Sequence, residues 1–478
     1  MSLLPIALYW GFALTGLFSR KPILLWLFFV SLPFGSMVVV PTNLTMGLSL
    51  TPQSMTAMLI VVHELLLRRS GPGAFATLAL RGSGLALFLF WIVGIVVTLF
   101  APRLFAGLIE VVPMNATGLG FMNTAPLVQT KQNFSQLAYI TVSIFAVFAF
   151  ARIFCDGVRL QILTRGIMIT GVIVIVTGLL DFATTYVPIG PLLQPFRTAE
   201  YAILDSVTIG NETKRVTGLM PEASSYGGLT LVVLSLLWFL RRAIPEAKMK
   251  RRADAIMAGL ALMLVMSTSS AGYVGIAVLL TIIGLEWGVR AGRVERSGPT
   301  LRGIRGEFIL ALIGLGALAT IVLAAPQMFD PIIERLNTLV FTKTESLSYL
   351  ERSMWTRTSY EAGWSSYLIG VGLGSTRASN FAAALFGSAG LLGIMFYFGF
   401  VAQRLIQTIR SPDPVAQAVA SALKWSFFPP FAVSLLVATT PDFGTIEALR
   451  WGILLALFLA DRSRVPGIGE PHVASRRP

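Results

Sequence analysis

The chain has 478 residues, of which 55% are hydrophobic and only 13% charged, with a formal net charge of +14. A soluble domain carries roughly 25% charged residues, so this composition excludes a soluble globular protein and predicts an all-α integral membrane protein. Residues 1–465 read as a single polytopic membrane domain and 466–478 as a cytoplasmic tail.

In chain order, apolar runs long enough to cross a ~30 Å hydrocarbon core recur from end to end. They predict spans near 3–19, 22–40, 53–67, 83–101, 135–152, 166–184, 224–240, 254–269, 272–288, 307–325, 380–402, 416–438 and 443–460, giving 12 to 13 transmembrane helices. The first run, Met1 to Phe18, has no basic stretch before it and no Ala-x-Ala site after it. It reads as a retained span rather than a signal peptide. His63 and Glu64 are neighbours in the third run, and adjacent residues on an α-helix do not face each other. With no second histidine at helical spacing, no metal site is expected there. The other histidine, His472, sits in the polar tail, and the single cysteine, Cys155, excludes an internal disulfide.

Basic residues cluster on alternate connections: Arg20-Lys21, Arg68-Arg69-Arg81, Arg152 to Arg165, Arg241 to Arg252, Arg290 to Arg305, Arg404-Arg410 and from Arg462 onward. The positive-inside rule makes that side cytoplasmic. The excess charge therefore reflects topology and anionic lipid, and nucleic acid is not an expected partner. The cytoplasmic connections are short and carry no phosphate-loop signature and no His-Glu-x-x-His. Nothing in them suggests ATP use.

Three outer-side loops, about 102–134, 185–223 and 326–379, are too long to be simple turns. Residues 332–368 space Ile332, Ile333, Leu336, Leu339, Leu347, Leu350, Met354, Trp364 and Leu368 mostly three or four apart, with charges between. This predicts amphipathic helices on the outer surface or packed over the bundle.

The second loop supplies Arg197, Glu200, Lys214, Arg215 and Glu222, and the third supplies Arg352, Arg357, Glu361 and Arg377. Gathered guanidinium groups suit a phosphate or diphosphate, because the planar fork makes bidentate, charge-assisted contacts. The competing reading of any one of them is a solvated or headgroup-facing side chain. Glu222 follows Pro221 and precedes Ala223-Ser224-Ser225. It reads either as an acid favoured by a helix N-terminus or as a general base taking a proton from a sugar hydroxyl. The run Gly370-Val-Gly-Leu-Gly-Ser-Thr-Arg377 also has two readings. Gly372, Gly374 and Ser375 form either an anion-binding turn or a tight re-entry turn. Asp181, Lys424, Glu447 and Arg450 fall in or near spans and are expected in buried pairs or along a cavity.

Four stretches, "RVTGLMPEASSYGG", "MSTSSAGYVGI", "YLIGVGLGSTRASN" and "GSAGLLGIMFYFGF", follow one another across residues 215–400. In order and spacing they resemble the O-antigen ligase and polymerase superfamily of bacterial membrane glycosyltransferases, over roughly residues 130–460. The resemblance implies a multi-span helical fold of the lipid-linked-sugar glycosyltransferase type in the bacterial inner membrane. It also implies transfer of a glycan from undecaprenyl diphosphate to an acceptor hydroxyl at the periplasmic face, with inversion and without metal, nucleotide or other cofactor. Carried onto this chain, Arg215 and Glu222 match the family's arginine and glutamate. Arg352 or Arg357, with Arg377, match arginines of the later loop. The implied roles are diphosphate binding for the arginines and acceptor activation for Glu222. Ligases of the family generally carry a functional histidine in the large outer loop, and this sequence has none there. That favours a polymerase of O-antigen, capsule or exopolysaccharide, with a ligase using another acceptor as the first alternative. By family analogy a chain-length regulator and a flippase are expected neighbours. The contrasting class is a lipid-linked-oligosaccharide flippase, which needs polar groups at mid-membrane depth, whereas the candidate charges here gather in loops on one side.

Overall fold

The structure is a computed structural model. It describes residues 3–45, 47–68, 71–80, 84–114, 123–155, 160–199, 208–209, 213–292, 307, 347–409 and 413–462. The predicted span 307–325 beyond its first residue, the amphipathic run 332–346, Glu200 and the tail with His472 lie outside the described residues.

Among the described residues the chain is almost entirely helical, with only two-residue strand pairs at Glu110–Val111 with Ala125–Pro126 and Thr208–Ile209 with Thr213–Lys214. Among the described residues, seven helices are long and apolar enough to cross a membrane: Leu85–Leu104, Lys131–Cys155, Gln161–Ala183, Ala223–Ala243, Ser270–Ala291, Phe381–Ile406 and Pro414–Val437. This is a multi-pass, all-α membrane protein. Helix is what such sequences must form in lipid, since it satisfies every backbone polar group within the segment. The hydroxyls inside these helices follow the same logic. Thr141, Thr170 and Thr230 each donate to the carbonyl four residues back, at 2.6, 3.2 and 2.7 Å.

Not every apolar run is a full span. Leu3–Phe18 and Pro52–Leu67 are apolar but short. The predicted span 22–40 is a nine-residue helix, Ile23–Ser31, followed by irregular chain. Pro33 and Gly35 end it, and residues 32–40 serve as backbone support instead. Ser36 N donates to Leu219 O at 2.9 Å, and Ser36 O accepts from the amides of Thr198 and Ala199 at 3.0 Å each. The third run ends in a π-helical turn, Val62–Leu67. Its wider winding brings His63 Nδ1 to 3.0 Å from Glu64 Oε1, although neighbours on an α-helix would point apart.

Two faces follow from the pairings. On one, Leu373 N meets Thr98 Oγ1 and Leu373 O meets Asn133 Nδ2, Ala378 N meets Thr439 O, and Gln53 Nε2 meets Thr445 Oγ1. The long connections emerge there, and we call it the loop face. The opposite, basic face gathers Arg68 and Arg152 around Glu64, and Arg241, Arg242 and Arg290 around Asp254, Glu286 and Glu307. One continuous apolar cluster from Tyr9 to Leu457 lies between.

At the loop face, α11 (Leu347–Ser365) packs on the first half of α12 (Phe381–Ile406), the two running in the same direction. Ser359 Oγ donates to Ala383 O at 2.9 Å, and the Trp364 and Phe386 rings meet edge to face at 5.4 Å. Between the two helices the chain dips inward. Val371 N, Gly372 N and Leu391 N donate to Gly387 O, Ser388 O and Leu368 O at 2.8, 3.0 and 2.8 Å. These bonds are possible because α12 is broken at Gly390, whose φ is +66°. A Cβ on Gly370 would lie 2.6 Å from Gly390 N, and one on Gly390 would collide with Leu368 O. Two of the motifs quoted above, 367–380 and 387–400, are therefore one interlocked unit. Gly390→Ala is expected to lower stability by about 2 kcal/mol, through left-handed strain and a backbone collision that no rotamer relieves. Unfolding of the purified protein in SDS measures it, and an unchanged midpoint would contradict this account of the break.

Candidate functional site

The first loop-face element is the turn 215–222, and a buried carboxylate shapes it. Asp181, at the end of Leu160–Ala183, is fully buried. Its Oδ2 accepts from Thr217 N at 2.7 Å, Thr217 Oγ1 at 3.1 Å and Gly218 N at 3.1 Å. Its Oδ1 accepts from Arg197 at 3.0 Å, and Arg197 also donates to Gly218 O at 3.1 Å. Gly218 has φ +57°, and a Cβ there would press on the Tyr226 ring. The turn is thus clamped from below, and Arg215 and Glu222 stand at its two ends.

Glu222 is the N-cap of α8 (Ala223–Leu240), with extended backbone at φ −153° and ψ 162°. Its side chain caps no backbone amide. Instead Oε1 accepts from the Ser224 hydroxyl and, at 3.4 Å, from Ser225 Oγ. A carboxylate serving only as a helix-start acid would face the free amides. This one is turned to the serine hydroxyls.

Arg215 is half-buried, and its Nε has no hydrogen-bond partner among the described residues. Burial pushes its guanidinium below the ordinary value. Glu222 opposes that shift, while the like charge of Arg352 adds to it and Tyr273 opposes it. Arg377 is likewise lowered by burial and opposed by Glu351 and Glu222. Its guanidinium lies over the Trp355 ring, 4.7 Å from the centroid. Arg215 is thus in electrostatic range of Glu222 and Arg352, and Glu222 in range of Arg377, although these side chains come from loops more than 120 residues apart. Arg352 also lines a cavity of about 760 Å³ with Tyr349, Thr356, Trp364, Asn380 and Leu436.

The remaining candidates separate from this group. Arg197 was expected on a diphosphate, but its side chain is 6% exposed and engaged by Asp181 and Gly218 O. It acts by holding the turn. Arg357 is 81% exposed and pairs with Glu361 at 2.7 Å, one helical turn along on the cavity rim. Most amides of the glycine turn are already engaged within the protein. The amides of residues 370, 371, 372, 373, 375 and 377 donate to Ser366 Oγ, Gly387 O, Ser388 O, Thr98 Oγ1, Gly372 O and Val112 O. Ser375 Oγ donates to Val371 O at 2.7 Å and accepts from Asn133 at 2.7 Å. Gly372 and Gly374 are there because Pro102 and the Gln132 carbonyl crowd their α-carbons.

Sequence reasoning did not assign Tyr273, Glu351 or Trp355 to the site, though Tyr273 lies in the quoted "MSTSSAGYVGI". That stretch forms the hairpin of Ala247–Met266 with Ser270–Gly292, and Gly227 of the first motif packs against Ser267 and Ser269 there. Asp181, Lys424, Glu447 and Arg450 were expected in buried pairs or along a cavity: Asp181 pairs with Arg197 and Glu447 with Arg450, Glu447 also lining a cavity, whereas Lys424 donates to the Gln407 carbonyl. The chain matches no protein-family model and no curated protein. Fold and geometry define a multi-pass helical membrane protein with three arginines and a glutamate converging on its loop face.

Proposed function

We propose that this protein is a membrane glycosyltransferase that moves a glycan from undecaprenyl diphosphate to an acceptor sugar hydroxyl at the periplasmic face of the bacterial inner membrane, acting as a polymerase of repeat units. The observation that carries the reading is the proximity of Arg215 and Arg352. They repel one another, and neither is within ion-pair distance of a described carboxylate. Like charges brought together by two separate elements are the arrangement an anionic ligand stabilises.

In this reading the diphosphate lies between Arg215, Arg352 and Arg377. The bond from the anomeric carbon to the diphosphate oxygen breaks, and undecaprenyl diphosphate leaves with the electron pair, its growing charge met by the guanidinium groups. The acceptor oxygen attacks from the opposite side, which inverts the centre. Its proton passes to Glu222, which is within range of Arg215 and Arg377 and held by two serine hydroxyls.

The test is chain growth by the purified protein in detergent, supplied only with undecaprenyl-diphosphate-linked repeat units. A ladder of products supports the reading. Transfer only to another acceptor makes the protein a ligase, and movement across vesicles without any product makes it a flippase. Within that assay Arg352→Ala is expected to slow growth by about 10²-fold, the scale of losing one preorganised charge donor. Arg357→Ala, exposed and paired to Glu361, should stay within about threefold of the parent rate. The reverse ranking would shift the diphosphate to the rim.

A further inference from the structure

A second cavity, mostly apolar with a few oxygen-bearing side chains, lies apart from the arginine group. It has a volume of about 190 Å³ and is lined by Tyr397, Phe427, Phe431, Ser434, Asp442 and Glu447, among others. That is room for on the order of six waters at ~30 Å³ each. Its wall is a broken span. Pro414–Trp425 stops at Ser426 and restarts as Phe428–Val437, with Phe427 at the break. The second piece then ends beside the cavity, with Ser434 and Ala438 in the lining. A helix C-terminus carries negative partial charge and free carbonyls.

The charges in the cavity do not balance. Glu447 is paired with Arg450, which also donates to Ser426 O at 3.2 Å. Asp442 has only neutral donors, the Ser143 hydroxyl and, at 3.1 Å, Gly444 N. No ion pair reaches it among the described residues. Tyr397 supplies the independent observation. It is 2% exposed, lines the cavity and feels both carboxylates, yet its hydroxyl bonds to no described residue. Ser434 Oγ donates to Phe431 O at 2.7 Å and keeps its lone pairs. Oxygen atoms and an uncompensated carboxylate in the apolar interior are the chemistry of an alkali-cation site.

We propose that this cavity binds one monovalent inorganic cation, Na⁺ or K⁺, with Asp442 supplying the charge and the Tyr397 and Ser434 hydroxyls completing the oxygen shell with water. The site is independent of the transfer reaction proposed above. Only Asn380–Phe381 and the end of Phe428–Val437 separate it from the larger cavity.

The test is the melting temperature of the full-length protein in detergent, titrated with NaCl, KCl or N-methyl-D-glucamine chloride at constant ionic strength. A ligand that binds only the folded state raises Tm saturably. Na⁺ or K⁺ should do so relative to the bulky organic cation. Asp442→Asn, which keeps the Ser143 and Gly444 bonds, should abolish the difference. Tyr397→Phe keeps the aromatic wall and should weaken the apparent affinity about fivefold, so it reads the site even if Asp442→Asn fails to fold. Identical curves in all three salts overturn the proposal, as does an undiminished Na⁺ or K⁺ effect in either variant. So does stabilisation by low pH alone in the organic salt, which would assign the cavity to a proton.

Discussion

Cells carrying Arg215→Ala or Glu222→Ala are expected to insert the protein normally and to accumulate single lipid-linked repeat units without long chains. The two losses have different origins. On the proposed reading, removing Arg215 takes one fixed positive charge from the leaving diphosphate, worth about 10²–10³ in rate, and removing Glu222 takes the base, worth about 10²–10⁴. Substitution by the nearest relative separates the roles. Arg215→Lys keeps a point charge but not the bidentate fork, so it should recover part of the rate. Glu222→Gln keeps one acceptor oxygen for Ser224 and Ser225 but cannot serve as a base, and should stay inactive. Chain length on gels, with membrane insertion measured alongside, reads both. Normal polymer in the Arg215→Ala and Glu222→Ala strains would remove the site assignment while leaving the fold untouched.

The structural reason for expecting large effects is that neither residue is replaceable from its surroundings. Arg215 and Glu222 are pinned at the ends of one turn whose amides are held by Asp181. Arg352 and Arg377 reach the same place from a different scaffold, the α11–α12 unit locked by Gly370 and Gly390. The site is thus a meeting of two rigid units, and an alanine in either leaves a gap that the other cannot close.

Some of this was legible in the amino-acid sequence. Helical membrane class follows from the apolar runs alone, because their length leaves lipid as the solvent. The pairing of Arg215 with Glu222 was visible because both sit in one short stretch that opens an apolar helix. Which distant arginines would join them was not visible, since Arg197, Arg352, Arg357 and Arg377 carry the same local signal. Only tertiary context sends Arg197 to Asp181 and Arg357 to Glu361. The glycine run was ambiguous for a physical reason. An anion cradle and a close backbone crossing both require glycine, and only the occupied amides show that the crossing prevails. The short second helix was missed because apolar content continues past Pro33 and Gly35 while the helix does not.

Asp181 gives the largest expected loss of stability, and it tests the reassignment of Arg197. Asp181→Leu would strand a guanidinium that is 6% exposed and take the acceptor from the Thr217 and Gly218 amides. Breaking a buried pair from one side costs about 3–5 kcal/mol, enough to unfold most membrane preparations at growth temperature. Asp181→Asn keeps the shape but presents an amide N–H₂ where a donor already points, so a smaller loss of about 1–3 kcal/mol is expected. The double variant Asp181→Leu with Arg197→Leu removes both charges and should recover much of the stability, giving a coupling energy above about 1 kcal/mol. Its turn would still lack the oxygen that fixes Thr217 and Gly218, so transfer should remain low even though the protein folds. A diphosphate-binding Arg197 would behave otherwise: Arg197→Leu alone would lower transfer with no change in stability, and the two substitutions would be additive. SDS unfolding midpoints of the four proteins, read beside their polymerisation rates, separate a residue that shapes the turn from one that grips the substrate.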